Sequence, residues 1–321
     1  AGRTSVSFSN STTFSSPLVM PRFQNRYGNV AGSYQSWGDR TSRRFDPEGF
    51  FNTGSNVNNS FTFSTGTKRY QSYFSAATTN ARNILPNSGY NRYNFTFRDV
   101  TKFLKDKLTV DLSASYILQD NKNMISSGQY FNPLPALYLF PRGDDWADIE
   151  MYERYDPIDK ISKQYWPMGD GSITMQNPYW ANYRNLRENR KDRYMLNAAL
   201  SYDILDWLNV SGRIRIDNSH NTYTEKMYAS SNVQLTEQSA NGLYGVTKTM
   251  DRQVYGDALL NINKTFGDDW SLQANIGASF SDMKNDALKI RGPIADGTSG
   301  EKQGLANVFN IQNLSNSTKT V

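Results

Sequence analysis

The sequence predicts an all-β chain, an antiparallel sheet of about nine strands built as an incomplete segment of a transmembrane β-barrel with long extracellular loops. Three observations lead there: strict alternation of apolar and polar residues, a hairpin design that occurs three times, and strands longer than most soluble sheets use. The alternation is cleanest after residue 107. Leu108, Val110, Leu112, Ala114, Tyr116 and Leu118 fall on one side; Thr109, Asp111, Ser113, Ser115 and Gln119 fall on the other, with Ile117 alone out of place. Period two is the signature of a strand with one oily and one wet face. Upstream, Tyr93, Phe95 and Phe97 alternate with Asn94, Thr96 and Arg98, and Lys105-Asp106-Lys107 supplies a tight polar turn.

The design returns twice. Tyr194, Leu196, Ala198, Leu200 and Tyr202 share a face, the chain turns at 203–206, and Leu208, Val210, Gly212, Ile214 and Ile216 continue opposite Asn209, Ser211, Arg213, Arg215 and Asp217. The third copy carries Val254, Gly256, Ala258, Leu260 and Ile262. It turns at Gly267-Asp268-Asp269 and returns through Trp270, Leu272, Ala274, Ile276, Ala278 and Phe280. Three hairpins of one pattern are an internal repeat.

These strands run ten to thirteen residues, whereas soluble strands favour about five or six and a tilted membrane strand needs about nine to eleven. A face of Asn, Ser, Arg and Asp suits a water-filled lumen while its oily opposite touches lipid. The other reading is a half-solvated sheet packed on a soluble core.

In chain order, Thr4, Val6 and Phe8 alternate with serines in a first strand, followed by a Gly-, Pro- and Asn-rich loop to about Val57. Asn58 to Ser64 and Tyr70 to Thr78 form a hairpin closed at Gly66-Thr67-Lys68, and a shorter loop holds Pro86. Long irregular stretches are expected at 121–190, at 221–250 and from Asp282 onward. Turns near 67, 106, 205 and 268 are short, which in outer-membrane barrels marks the periplasmic side, with the long loops outside. All eleven prolines fall outside these strands, as ladder hydrogen bonding requires. Nine strands with unpaired edges, opening almost at Ala1, are expected to be a piece of a larger barrel, because single-chain bacterial barrels have even strand numbers.

Composition narrows the chemistry. The 321 residues include no cysteine, so no disulfide framework, thiol nucleophile or Cys-ligated metal is expected. The only histidine is His220, too few for a His-based triad or a His-rich metal site. The formal charge is +5 with a pI near 9.1 and a mean hydropathy of −0.68. The basic residues are scattered, and nucleic acid is not an expected partner. Gly143-Asp144-Asp145 and Asp170-Gly171-Ser172 carry Ca²⁺-type oxygens but lack the full ligand spacing, and ordinary turns are the expected reading. Asp144, Asp145, Asp148 and Glu150 cluster without the spacing that would define a glycosidase pair. No catalytic, metal or cofactor site is expected.

Several stretches carry a resemblance. RTSVSFSNSTTFSSPLVMPRFQNRYG at 3–28 resembles the beginning of the barrel, just after the plug, in SusC/RagA-like TonB-dependent transporters. NSFTFSTGTKRYQSYFS and ILPNSGYNRYNFTF resemble the next strands. NPYW at 177–180, the Arg- and Asn-rich run from 182 to 217, and NVFNIQNLSNS at 307–317 extend the likeness across the chain. The resemblance implies a plugged outer-membrane barrel that captures glycans or peptides together with a SusD-like surface lipoprotein. It implies import driven by the TonB complex pulling on the plug. The chain is then expected to be one partial barrel domain, 1–321, lacking the plug, the TonB box and the later strands. A passive porin and a soluble β-rich carbohydrate-binding module are the alternatives.

Site expectations follow from placement. Trp207 and Trp270 sit at turn ends, where a membrane-interface aromatic girdle belongs. Trp37, Trp146, Tyr165, Trp166, Tyr179 and Trp180 lie in long loops beside polar groups such as Arg142, Asp145 and Asn182. They can stack on a ligand, dock a partner, or simply anchor the loops. Arg213 and Arg215 are expected in the lumen, biasing passage toward anions or pairing with Asp217.

Overall fold

A computed structural model describes residues 2–30, 32–43, 45–124, 132–267, 270–294 and 318–320; the stretch 307–317 and turn residues 268–269 lie outside these. The strands are β1 (Arg3–Ser15), β2 (Gly54–Gly66), β3 (Tyr70–Arg82), β4 (Gly89–Phe103), β5 (Leu108–Lys122), β6 (Glu153–Asp156), β7 (Ile161–Gln164), β8 (Asn185–Leu205), β9 (Leu208–Met227), β10 (Leu243–Phe266), β11 (Trp270–Pro293) and β12 (Thr318–Thr320). Nine long strands form one antiparallel meander, with β8 paired to β5, and the three-residue β12 pairs with the outer edge of β11. β6 and β7 form a separate hairpin. The sheet is open: β1 and β12 do not meet. No described helix is long and apolar enough to cross a membrane.

Register makes the two faces continuous. Ala114 lies opposite Phe97 and Leu196, Leu196 opposite Ile216, and Ile216 opposite Val254. Because side chains alternate, this pairing carries one apolar surface across strand after strand. The surface is uncovered: Phe97 is 47% exposed, Leu200 54% and Ile276 63%. A soluble half-solvated sheet would hide that face beneath a second layer, and among the described residues none packs on it. Burial is concentrated instead at the loop end, where Phe45, Phe50, Leu85, Leu137, Phe140 and Ile149 form a core.

Several expected boundaries move. β8 to β11 have 21, 20, 24 and 24 residues, not ten to thirteen. The expected loop at 221–250 shrinks to 228–242, and β11 continues past Asp282. Pro293 therefore falls within a strand, but as its last residue, where a missing N–H donor is tolerated. The turn expected at 203–206 is the pair Asp206-Trp207, with an irregularity between Asp203 and Leu205.

The stretch 121–190 is less irregular than expected. Besides the β6–β7 hairpin it holds α1 (Leu134–Tyr138), α2 (Trp146–Glu150) and α3 (Pro178–Tyr183). Asp145 caps α2 by accepting from Ala147 N, and Asn177 caps α3 by accepting from Tyr179 N. Pro178 follows Asn177 at the first helical position, where a missing N–H costs nothing. Helices of five or six residues are too short to show a periodic face.

Gly242 closes the loop between β9 and β10 at φ +93°, and a Cβ there would lie 2.1 Å from the Met227 carbonyl oxygen. Gly242→Ala is expected to cost at least about 1–3 kcal/mol from backbone strain. Hydrogen exchange should report it as faster exchange confined to 228–242, with β9 and β10 protected as before.

Candidate ligand-binding site in the loops

The long loops form one packed cap, held by amides. Asn177 is fully buried; its Nδ2 donates to the Ile149 and Tyr165 carbonyls at 2.9 and 3.0 Å, while its backbone N donates to Gln164 Oε1 at 2.7 Å. Asn123 Nδ2 donates to the Asn87 and Asn182 carbonyls, and its Oδ1 accepts from Arg187 N. Asn182 in turn donates to the Pro86 carbonyl. Buried backbone groups require such partners, and side-chain amides supply them where no ladder exists.

The aromatic candidates divide by burial. Trp180 has no exposed surface, and its Nε1 donates to Ser231 Oγ at 3.0 Å, so it anchors the loop packing. Trp146 packs 4.7 Å from the Phe45 ring and 5.0 Å from Phe140, with Tyr179 at 5.8 Å. Burial pushes the Tyr179 phenol up to about 12, aided by the Glu150 charge. Trp166 donates to the Gly169 carbonyl at 2.8 Å and to the Tyr34 hydroxyl at 3.1 Å. Burial also raises Tyr34 to about 12. Tyr165 lies beneath the Arg154 guanidinium, 3.4 Å from ring centroid to Cζ. Trp37 alone of the six stays broadly open, 73% exposed beside Tyr27.

Beside this cap lies a cleft of 700 Å³ lined by Leu18, Met20, Phe23, Phe45 and Arg142, with Asp46 and Glu48 also along it. Arg142 is the residue that sequence reasoning passed over as a mere neighbour. It sits between two rings, 4.9 Å from Phe23 and 4.6 Å from Phe45, and Nη1 donates to the Phe140 carbonyl at 2.8 Å. Burial pushes its pKa below the ordinary arginine value. A larger cavity of 1350 Å³ lies at the loop end of β2 to β9, lined by Asn80, Asn91, Asp120, Lys122, Glu188 and Arg190 among others. By register these residues continue the same side of the sheet as Phe97 and Leu196.

The wet face is laced with ion pairs. Arg213 grips Asp257 directly across β9 and β10, with Nη2 at 2.6 Å from Oδ2. Asp217 is held by Arg193, Nε to Oδ1 at 2.8 Å, not by Arg213 or Arg215 as the sequence suggested. Arg193 stands one diagonal step from Asp217 on β8 and donates to it through two guanidinium nitrogens, while Arg215, two residues away on the same strand, reaches Asp217 only as a neighbouring charge. Arg215 lines a small cavity with Arg213, Asp217, Gln253 and Tyr255. Arg291 binds Glu225 at 2.8 Å and also Glu237, tying loop 228–242 down onto this face.

At the short-turn end, Trp207 occupies its turn and Trp270, 76% exposed, opens β11. Lys264 Nζ lies 4.4 Å from the Trp207 ring and 5.1 Å from Phe266. The acidic turns have local duties: Asp144 accepts from Asn29, Asp145 caps α2, and Asp170 accepts from Ser172 N. Among the described residues no group of three potential ligands surrounds a metal position.

Sequence comparison finds no matching family model and no matching curated relative. The fold is similar to solved chains of the RagAB peptide importer. The 'closed-closed' state aligns with TM-score 0.62 at 12% identity over 99% of this chain. The 'open-open' state gives 0.53 at 15% over 84%, and a further RagAB peptide transporter structure gives 0.56 at 13% over 84%. The chain spans 38%, 28% and 29% of those chains respectively.

Trp180→Ala is expected to destabilise the loop cap by about 3–5 kcal/mol, the usual range for a buried large aromatic, while Trp37→Ala leaves the thermal midpoint nearly unchanged. In the β6–β7 hairpin, Asp156 is held down to about 2 by Lys163 and by the Ile158 and Asp159 amides. A carboxyl so depressed stabilises the fold above its ordinary value of 3.8 and loses that contribution as pH falls toward 2. The protection factors of amides in 153–164, with the intrinsic pH dependence of exchange divided out, should accordingly fall between pH 4 and 2, and Asp156→Asn should remove that fall.

Proposed function

We propose that the chain is part of the barrel domain of an outer-membrane, TonB-dependent nutrient importer of the SusC/RagA-like kind, acting with a SusD-like surface lipoprotein to take up a glycan or peptide. The observation that carries the reading is the uncovered apolar face. From Trp270 to Phe280 it covers eleven residues of β11, about 34 Å along a strand. At a tilt near 40° that is about 26 Å of height, close to the apolar band of outer-membrane barrels. Trp207, Trp270 and Lys264 edge the band at the turn end, as interfacial anchors do. Above the band the same face becomes polar at Asp192, Asn218 and Arg252, so the strands outrun the lipid and carry the loop cap into solvent.

The likeness to the RagAB peptide importer supports an importer over a passive porin, and supports capture of a ligand at the loops. The polar face suits a lumen and the short turns suit the periplasm. TonB coupling and the lipoprotein partner belong to the reading as a whole protein.

Two measurements test it. Fractionation of the full-length parent should recover it in the outer-membrane detergent extract with a co-purifying surface lipoprotein; recovery as a soluble monomer would sink the membrane reading. Ile214→Arg should cost about 2–4 kcal/mol of folding stability in bilayers, as for a cation at mid-membrane on the lipid face. Ser211→Arg, on the opposite face, should cost far less.

A further inference from the structure

The cleft beside the loop cap contains a buried cation for which the described residues form no ion pair. Arg142 is 5% exposed, and among the described residues no carboxylate forms an ion pair with it. Its Nε is buried with no hydrogen-bond partner there. Burying a cation unpaired is expensive. An arginine kept only for its apolar stem would extend its head to water, yet this head turns inward between Phe23 and Phe45 and lines the cleft.

We infer that Arg142 is the anion-reading end of a ligand cleft that takes a single carboxylate carried on an apolar body. The planar guanidinium fork matches a carboxylate, and its worth rises where water is excluded. Leu18, Met20 and Phe23 line the cleft where the apolar body would lie, and Leu18 is 95% exposed without it. Asp46 and Glu48 line the same cleft, which disfavours a doubly charged phosphate and leaves a monoanion as the better match. The inference deepens the importer reading, on which the ligand's purpose rests, but the cleft's chemistry stands on Arg142 itself.

The test uses the full-length parent in detergent micelles and two probes that differ only in charge, N-acetyl-leucyl-leucine and its C-terminal amide, measured by calorimetry. The wild type should bind the acid at least tenfold more tightly than the amide. Arg142→Gln should bring the two to equal affinity, Arg142→Lys should keep part of the preference, and Phe23→Ala should weaken both probes. Equal affinity for acid and amide in the wild type, or no binding of either, overturns the inference; that result also covers the case in which another segment of the parent neutralises Arg142. A preference that survives Arg142→Gln overturns it as well. If Arg142→Gln fails to fold, the wild-type ratio still decides. Recovery in the outer membrane without an acid preference would remove the cleft and leave the importer reading standing; a soluble parent that keeps the preference would do the reverse.

Discussion

The register of the sheet is the constraint on which everything else rests. Each of the nine long strands pairs with its long neighbours over 12 to 24 positions, with the one shift at Asp203 and Leu205 beside a turn. A slip of one residue would turn Leu196, Ile214 and Ile276 to the wet side and bring Arg213 and Arg193 to the oily side. Two chemistries oppose such a slip together. The apolar side gains only if all its members stay together on one face, and the ion pairs on the other side, Arg98 with Asp111 and Arg213 with Asp257, are set by this register. Either alone would tolerate local error; both at once specify one pairing.

At the loop end the constraint changes from ladder to amide. Asn177 and Asn123 each satisfy two or more backbone groups, and Asn182 satisfies one, on segments separate in sequence. That lets the long connections at 16–53 and 123–184 pack as a small core with only short helices and one hairpin among their described residues. Trp180 and Trp146 fill that core, and the surface left for a ligand lies at its edges, at Trp37 and along the Arg142 cleft.

The legible part of this fold was the part where two solvents meet. Alternation reveals a strand only when its faces differ in polarity, as from Tyr194 to Tyr202. Above the apolar band both faces are polar. The segments 185–190 and 221–227 continue as strands while reading as loops, because residues such as Glu188 and Asn189 carry no contrast. The same reasoning explains the aromatic candidates. Composition cannot separate Trp180 from Trp37, since both sit in polar loop sequence with a Tyr and an Arg close by, and only packing of distant loops buries one and leaves the other open. The Asn177-Pro178 pair carries a helix-start signal, a capping residue and a tolerated proline, that the expectation of an irregular stretch over 121–190 passed over. Arg142 gave no signal at all, because an unpaired arginine is defined by partners that are distant in sequence.

The charge pattern of the wet face follows from the same register. If Arg213 and Arg215 were both free, this face would carry a run of unopposed positive charge. Asp257 instead lies directly opposite Arg213, and Arg193 takes Asp217, so these two cations are each matched by a carboxylate on a neighbouring strand. Arg215 stands between these pairs, within reach of the fields of both acids. Interactions of this kind cancel beyond about a Debye length, roughly 8 Å at physiological salt, so the paired stretch of this face presents alternating charge and not a stripe of one sign. Arg142 at the loop end is the contrast: its guanidinium lies between Phe23 and Phe45 and donates to the Phe140 carbonyl, so rings and a carbonyl stand where the sheet places a carboxylate.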